Sequence, residues 1–231
     1  MRYWTYDEIK NKIRSDLGIE QETFVTPDEL MGYVNAAIDE AEAEIHTIYE
    51  DYFLTRSEDS IVAGQAAYDM PSNVYANKLR GIVHKESDDV YPIKRFKEKK
   101  DLFVELEYTK QFNNQDYQYI LRNDSASLGI KIHLIPTPEL GATDGLILWY
   151  LRNASRMEDD TSICDIPEFT SFVIQYAKVR CYEKEGHPNF QGALAILEHF
   201  RSNMINTLTD MTPDSDNEIE QDTTFYDEMG D

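Results

Sequence analysis

Cysteine is nearly missing from this chain. Only Cys164 and Cys181 occur in 231 residues, and two thiols so placed, the second inside a helical pattern, supply neither a disulfide framework nor a metal knuckle. Long apolar runs are missing as well: no stretch approaches the length of a membrane span, and the opening Met1, Arg2, Tyr3, Trp4, Thr5, Tyr6 lacks the apolar core of a secretion signal. The expectation is a soluble product of the cytoplasm with no membrane partner. Basic residues are scarce, 22 Lys and Arg against 44 Asp and Glu for a net charge of −22. That balance excludes a general nucleic-acid binder, which neutralises phosphates with Lys and Arg.

The common signatures of chemistry are missing too. There is no G-x-x-x-x-G-K-[ST], no G-x-G-x-x-G after a strand, no H-E-x-x-H and no G-x-S-x-G. Asp214, Asp216, Glu218 and Glu220 alternate as in a calcium loop, but Ile219 stands where the sharp turn needs glycine and Phe225 where a bidentate acid is needed. His46, His84, His133, His187 and His199 are scattered beyond metal-ligand spacing, and each reads as solvent-facing or as a satisfied structural residue. Carboxylates are so abundant that no acid–base pair stands out. The expectation is no catalytic residue, no metal and no cofactor, with a carboxylate-based hydrolase ranked last among the functions.

What is present is helical at both ends. Thr5 caps a predicted helix over 5–17, with Ile9, Ile13 and Leu17 spaced by four and Gly18 as its stop. Thr26, Pro27, Asp28, Glu29 is a capping box with proline at the first helical position. It opens a long stripe of period 3.6, from Leu30 through Val34, Ile38, Ala41 and Ile45 to Tyr52 and Phe53. The opposite side carries Asp39, Glu40, Glu42, Glu44 and Glu50, a solvated surface or an acidic lining. Asp165, Ile166, Pro167, Glu168 reads as a second box of the same type, opening a helix that ends at Gly186; Pro188 opens the last helix, the pair forming an antiparallel hairpin.

Between residues 58 and 157 period-two and continuous apolar runs replace the helical stripe. Strands are predicted at 59–63, 65–70, 78–85, 90–96, 115–122, 129–135 and 145–152, with a short helix at 97–108. The clearest is Ile130, Ile132, Leu134 alternating with Lys131 and His133. The fold class expected is α+β: an antiparallel helical bundle from 1–57 and 158–209, an inserted β-rich, sandwich-like domain at 58–157, and a disordered acidic C-terminal tail at 210–231. That tail holds nine acidic side chains and no Lys or Arg. Ile219, Phe225, Tyr226 and Met229 are interspersed in it, as in a segment that docks on a partner. Against the acidic background, Lys78, Arg80, Lys94, Arg95 and Lys97 form a locally basic cluster, a candidate subunit interface for an acidic neighbour.

The order of these parts resembles the head-to-tail adaptor proteins of tailed, especially short-tailed, bacteriophages. The likeness rests on Thr26-Pro27-Asp28-Glu29-Leu30 running into Asn35-Ala36-Ala37, and on Val62-Ala63-Gly64-Gln65-Ala66-Ala67-Tyr68-Asp69-Met70-Pro71. It continues in Ile135-Pro136-Thr137-Pro138, Asp165 to Phe169, and Gln175-Tyr176-Ala177 through Tyr182 to Gly186. The resemblance implies a structural virion protein, not an enzyme, made in the host cytoplasm and assembled as a twelve-fold ring between the portal protein and the tail or a second neck-ring protein. DNA would pass through the ring without specific binding, past an acidic lumen that repels phosphates. The reading from a different class is a soluble acidic adaptor, or DNA mimic, capping a basic partner.

Overall fold

The structure, a computed structural model, describes residues 2–18, 24–96, 117–123 and 129–211. Among them are four α-helices and seven strands, an α+β fold. The chain divides into two compact units, one from Met1–Tyr49 and Arg156–Asp231, the other from Glu50–Ser155.

The helical unit contains α1 (Tyr6–Leu17), α2 (Pro27–Ile48), α3 (Thr170–Glu185) and α4 (Phe190–Met211). Both threonine caps form reciprocal boxes. At α2 the Glu29 N–H donates to Thr26 Oγ1 at 3.2 Å and the Thr26 N–H donates to Glu29 Oε2 at 2.9 Å. These satisfy two of the donors a helix start leaves open. Gly18 and Gly186 end α1 and α3 with φ of 69°, a left-handed turn that a side chain resists. Ile9 and Ile13 of α1 and the Leu30, Val34, Ile38, Ala41, Ile45 stripe of α2 are buried. α3 is buried on several sides, through Phe172, Val173, Ile174, Gln175, Ala177 and Val179, as befits the helix that packs against the other three. Its Gln175 Nε2 donates to the Ala193 carbonyl of α4 at 2.8 Å, so the buried amide is matched.

Two expectations are corrected here. The α2 stripe does not reach Phe53: the helix ends at Ile48, Tyr49 leaves helical space at φ −128° and ψ 82°, and a 3-10 turn follows at Glu50–Phe53. Tyr52 and Phe53 belong to the β unit, where their rings meet edge to face at 4.8 Å and the Arg152 guanidinium lies 5.1 Å from the Phe53 ring. The second box does not cap α3. Ile166 stands at the cap position with no side-chain bond, Pro167–Phe169 is a 3-10 turn, and α3 starts at Thr170, whose hydroxyl donates to the Pro167 carbonyl at 3.0 Å.

The β unit is one curled, mixed sheet of β1 (Leu54–Ile61), β2 (Ala67–Asp69), β3 (Val74–Glu86), β4 (Asp89–Arg95), β5 (Gln118–Asn123), β6 (Ile130–Ile135) and β7 (Ala142–Arg152). The strand order is β1-β7-β3-β4-β5-β6-β2, antiparallel except for β4 with β5. β1 starts at Leu54, earlier than its apolar residues suggest, because an edge strand paired only with β7 needs few of them. The predicted helix at 97–108, with Lys97, lies outside the described residues.

Topology forces the curl. Laid flat, seven strands would put β1 and β2 about 29 Å apart, yet the chain from Ile61 to Ala67 spans at most about 20–22 Å. One face of each strand therefore points into a common core, with Ile61, Ile82, Ile93, Ile132, Leu134 and Leu148 among its members. Tyr68 of β2 is bonded back to the end of β1: its hydroxyl accepts from the Val62 N–H at 3.1 Å and donates to the Gln65 carbonyl at 3.0 Å.

Candidate interaction surfaces

The acidic residues of α2 are not a bare anionic face. Asp39 accepts from Arg156 at 2.6 Å, and Glu44 is gripped by the Arg201 guanidinium of α4. Glu42 is buried beside His46, not part of a solvated surface, because Ile38 and Ile45 bracket it at i−4 and i+3 and so place it on the apolar side. Glu40 alone of the four is exposed. Glu50 belongs to the β unit.

The basic cluster is divided. Lys78 bonds Glu50 at 2.7 Å, and Arg80 bonds Glu50 at 2.6 Å and Asp51 at 2.7 Å. The lysine first, then the arginine, holds the Glu50 carboxyl below its ordinary range. Lys94 and Arg95 stay exposed on β4, but the β3–β4 ladder ends at Ile82–Ile93 and the strand turns to β5. They register with Gln118 and Tyr119, not with Lys78 and Arg80. The tail residues Ile219, Phe225, Tyr226 and Met229 lie outside the described residues.

Among the described residues no group of three or more His, Cys, Asp or Glu is placed to hold a metal ion. Burial raises the Cys164 thiol and pushes Cys181 up to about 11, so neither is held as a thiolate. His187 stacks on Tyr182 at 4.7 Å, accepting the Asn189 N–H, and His199 bonds Asn203.

His84 departs from the expectation of a satisfied histidine. It lies on the inner side of β3, 5% exposed, with its ring edge-on to Tyr117 at 5.0 Å and with no hydrogen-bond partner for Nδ1. Burial lowers its pKa from the ordinary 6.5. The unfolded chain therefore binds the proton more readily, and the stability present above pH 6.5 falls as the pH drops below it toward the folded value. Thermal melts are expected to move down by a few degrees between pH 7.5 and 5.5, and His84→Phe should flatten that response. An unchanged slope in the variant would assign the proton uptake elsewhere.

The motifs that carry the resemblance meet as structural fastenings. The Asn35 amide of α2 donates to the Met157 carbonyl at 3.0 Å and accepts its N–H at 2.8 Å. In the β unit the Gly64 N–H donates to the Pro138 carbonyl and the Leu134 N–H to the Ala66 carbonyl, both at 2.8 Å. Two motifs far apart in sequence are thus bonded to each other, and Gln175 of a third ties α3 to α4.

Among the described residues no helix is long and apolar enough to cross a membrane. No curated protein matches the chain. The family model described as SU10 adaptor protein matches residues 4–221, almost the whole sequence and both units. On that match the chain belongs to the SU10 adaptor protein family, in keeping with its likeness to the structural head-to-tail adaptors of bacteriophages.

Proposed function

We propose that this adaptor assembles as a twelve-fold ring in the virion neck, joining the portal protein to the tail or to a second neck ring and forming part of the DNA channel. The observation that carries the reading is the family match over residues 4–221. In this reading the helical unit acts as the bundle, and the inserted domain, first expected at 58–157 as a sandwich, is the single curled sheet of Glu50–Ser155. The 210–231 segment docks on the portal through Ile219, Phe225, Tyr226 and Met229. The net charge of −22 supports passage of DNA without capture, since a wall of like charge repels phosphates. Because Asp39 and Glu44 are paired, that repulsion rests on the excess of carboxylates over the whole chain and not on the α2 residues alone. Of the basic surface proposed for an acidic neighbouring subunit, exposed Lys94 and Arg95, with Lys97, are the part left to bind it, since Lys78 and Arg80 are held by Glu50 and Asp51.

Quantitative mass spectrometry of purified particles of the encoding phage tests this, with the chain counted against the portal protein. Near-equal copy numbers are expected. Absence from particles would discard the ring and leave the soluble acidic adaptor that caps a basic partner.

A further inference from the structure

In the helical unit the cations are almost all taken. Among the described residues of that unit, every Lys and Arg except Arg14 lies within ion-pair distance of a carboxylate. In a chain with twice as many acids as bases, the described part of this unit nonetheless leaves one guanidinium without one. Arg14 Nε is also shielded from solvent and has no acceptor. A buried donor without a partner is costly, and because the side chain as a whole is only half-buried, its two Nη groups are the donors open to an arriving acceptor.

Arg14 lines a cleft of about 410 Å³ with Lys10, Asn11, Ser15 and Pro27. The other donors there are committed. Lys10 is held by Asp7 at 3.0 Å and Asp160 at 2.6 Å, and Asn11 Nδ2 donates to Asp7. The Pro27 carbonyl accepts the Tyr6 hydroxyl. Among the described residues that line the cleft, the guanidinium is thus the one charged donor not already matched, beside the Ser15 hydroxyl. Its planar fork takes a carboxylate through two parallel bonds.

We infer that this cleft receives a carboxylate from the 212–231 segment of a second copy of the chain. Charge complementarity selects the occupant, because that segment carries eight acidic side chains and no Lys or Arg. A nucleic-acid phosphate would fit the fork equally, but it would have to approach a chain of net charge −22. Position selects a second copy. Lys184 at the end of α3 holds Glu29 at the start of α2, and Arg201 of α4 holds Glu44 near the end of α2, so α4 runs parallel to α2. Met211 therefore lies beyond the far end of α2, about 30 Å or more from Pro27. A segment leaving Met211 starts at the far end of the unit from its own cleft and would have to run back along α2 to reach it, a route that isotope labelling separates from a neighbour's. The inference concerns carboxylates and the free protein, so it stands or falls separately from the portal reading.

The test uses full-length Arg14→Lys, prepared with natural and with ¹⁵N isotopes, mixed in equal amounts and treated with a carbodiimide. The amine at position 14 should form an amide with an acid of 212–231, in mixed-isotope pairs detected by peptide mass spectrometry. Lys12 and Asp16, 2.6 Å apart in one helix, supply the cross-link that certifies the fold. That control without the 14-to-tail product, or products only of like isotope, would overturn the inference. In sedimentation at low salt, full-length Arg14→Gln should self-associate about tenfold more weakly. Unchanged self-association, or Arg14-dependent binding of a labelled DNA duplex instead, would equally reject it.

Discussion

Replacing Tyr68 with alanine is expected to lower the stability of the β unit by about 3–5 kcal/mol, the range for removing a buried aromatic ring. Tyr68 is 2% exposed and among the largest fully buried side chains. Its ring packs in the core that all the curled strands share, and its hydroxyl bonds the far edge of the same sheet. Tyr68→Phe separates the two contributions. Keeping the ring and losing the hydroxyl should cost about 1–3 kcal/mol. The lower end is favoured, because Val62 is 50% exposed and water can reach its backbone. Trp149 lies in the β unit and Trp4 in the helical unit, so urea unfolding read by fluorescence in a Trp4→Phe background reports the β unit. Equal losses in both variants would assign the closure to the hydroxyl alone, and a fully stable alanine variant would refute the closure.

Elements whose signal is local were legible in the sequence. The Thr26 box forms as read because its two bonds span three residues, and Ile130, Ile132 and Leu134 alternate because a strand with one face in the core must. The reading failed where a distant partner decides. Tyr52 and Phe53 continue the α2 stripe on paper, but Arg152 and the sheet claim Phe53. The Asp165 box has the right residue types, yet Ile166 occupies the cap. For the candidate surfaces, the partners of Asp39, Glu44 and Lys78 lie far along the chain, so charge that looks free in sequence is paired in space. Glu42 is different: its place between Ile38 and Ile45 was readable from helix geometry, and its charge concealed it. Arg14 could not be singled out, since the absence of a partner is visible only once every other described cation of the helical unit has found one.

Leu30→Ala in α2 is expected to cost the helical unit about 2–5 kcal/mol, far more than loss of the ion pair beside it. Leu30 is 1% exposed, and its side chain is removed from water on folding whatever the salt or pH. Glu29 sits one residue earlier, bonded to Lys184 of α3 at 2.7 Å and to the Thr26 N–H at 2.9 Å. Lys184 first, then the Thr26 backbone, brings its pKa down to about 2 from 4.5. The sign follows: the contribution is present above pH 4.5 and is lost as the pH falls toward 2. Both partners are substantially exposed, so solvent and salt screen the attraction. In a Trp149→Phe background, where Trp4 reports the helical unit, Lys184→Met should shift the urea midpoint only slightly and less again at high salt. Leu30→Ala should shift it strongly at any ionic strength. If Lys184→Met proved as damaging as Leu30→Ala, α2 would be fastened to α3 by charge and not by burial. Acid below pH 4.5 would then release the helix in the wild type, which the buried stripe from Leu30 to Ile45 should prevent.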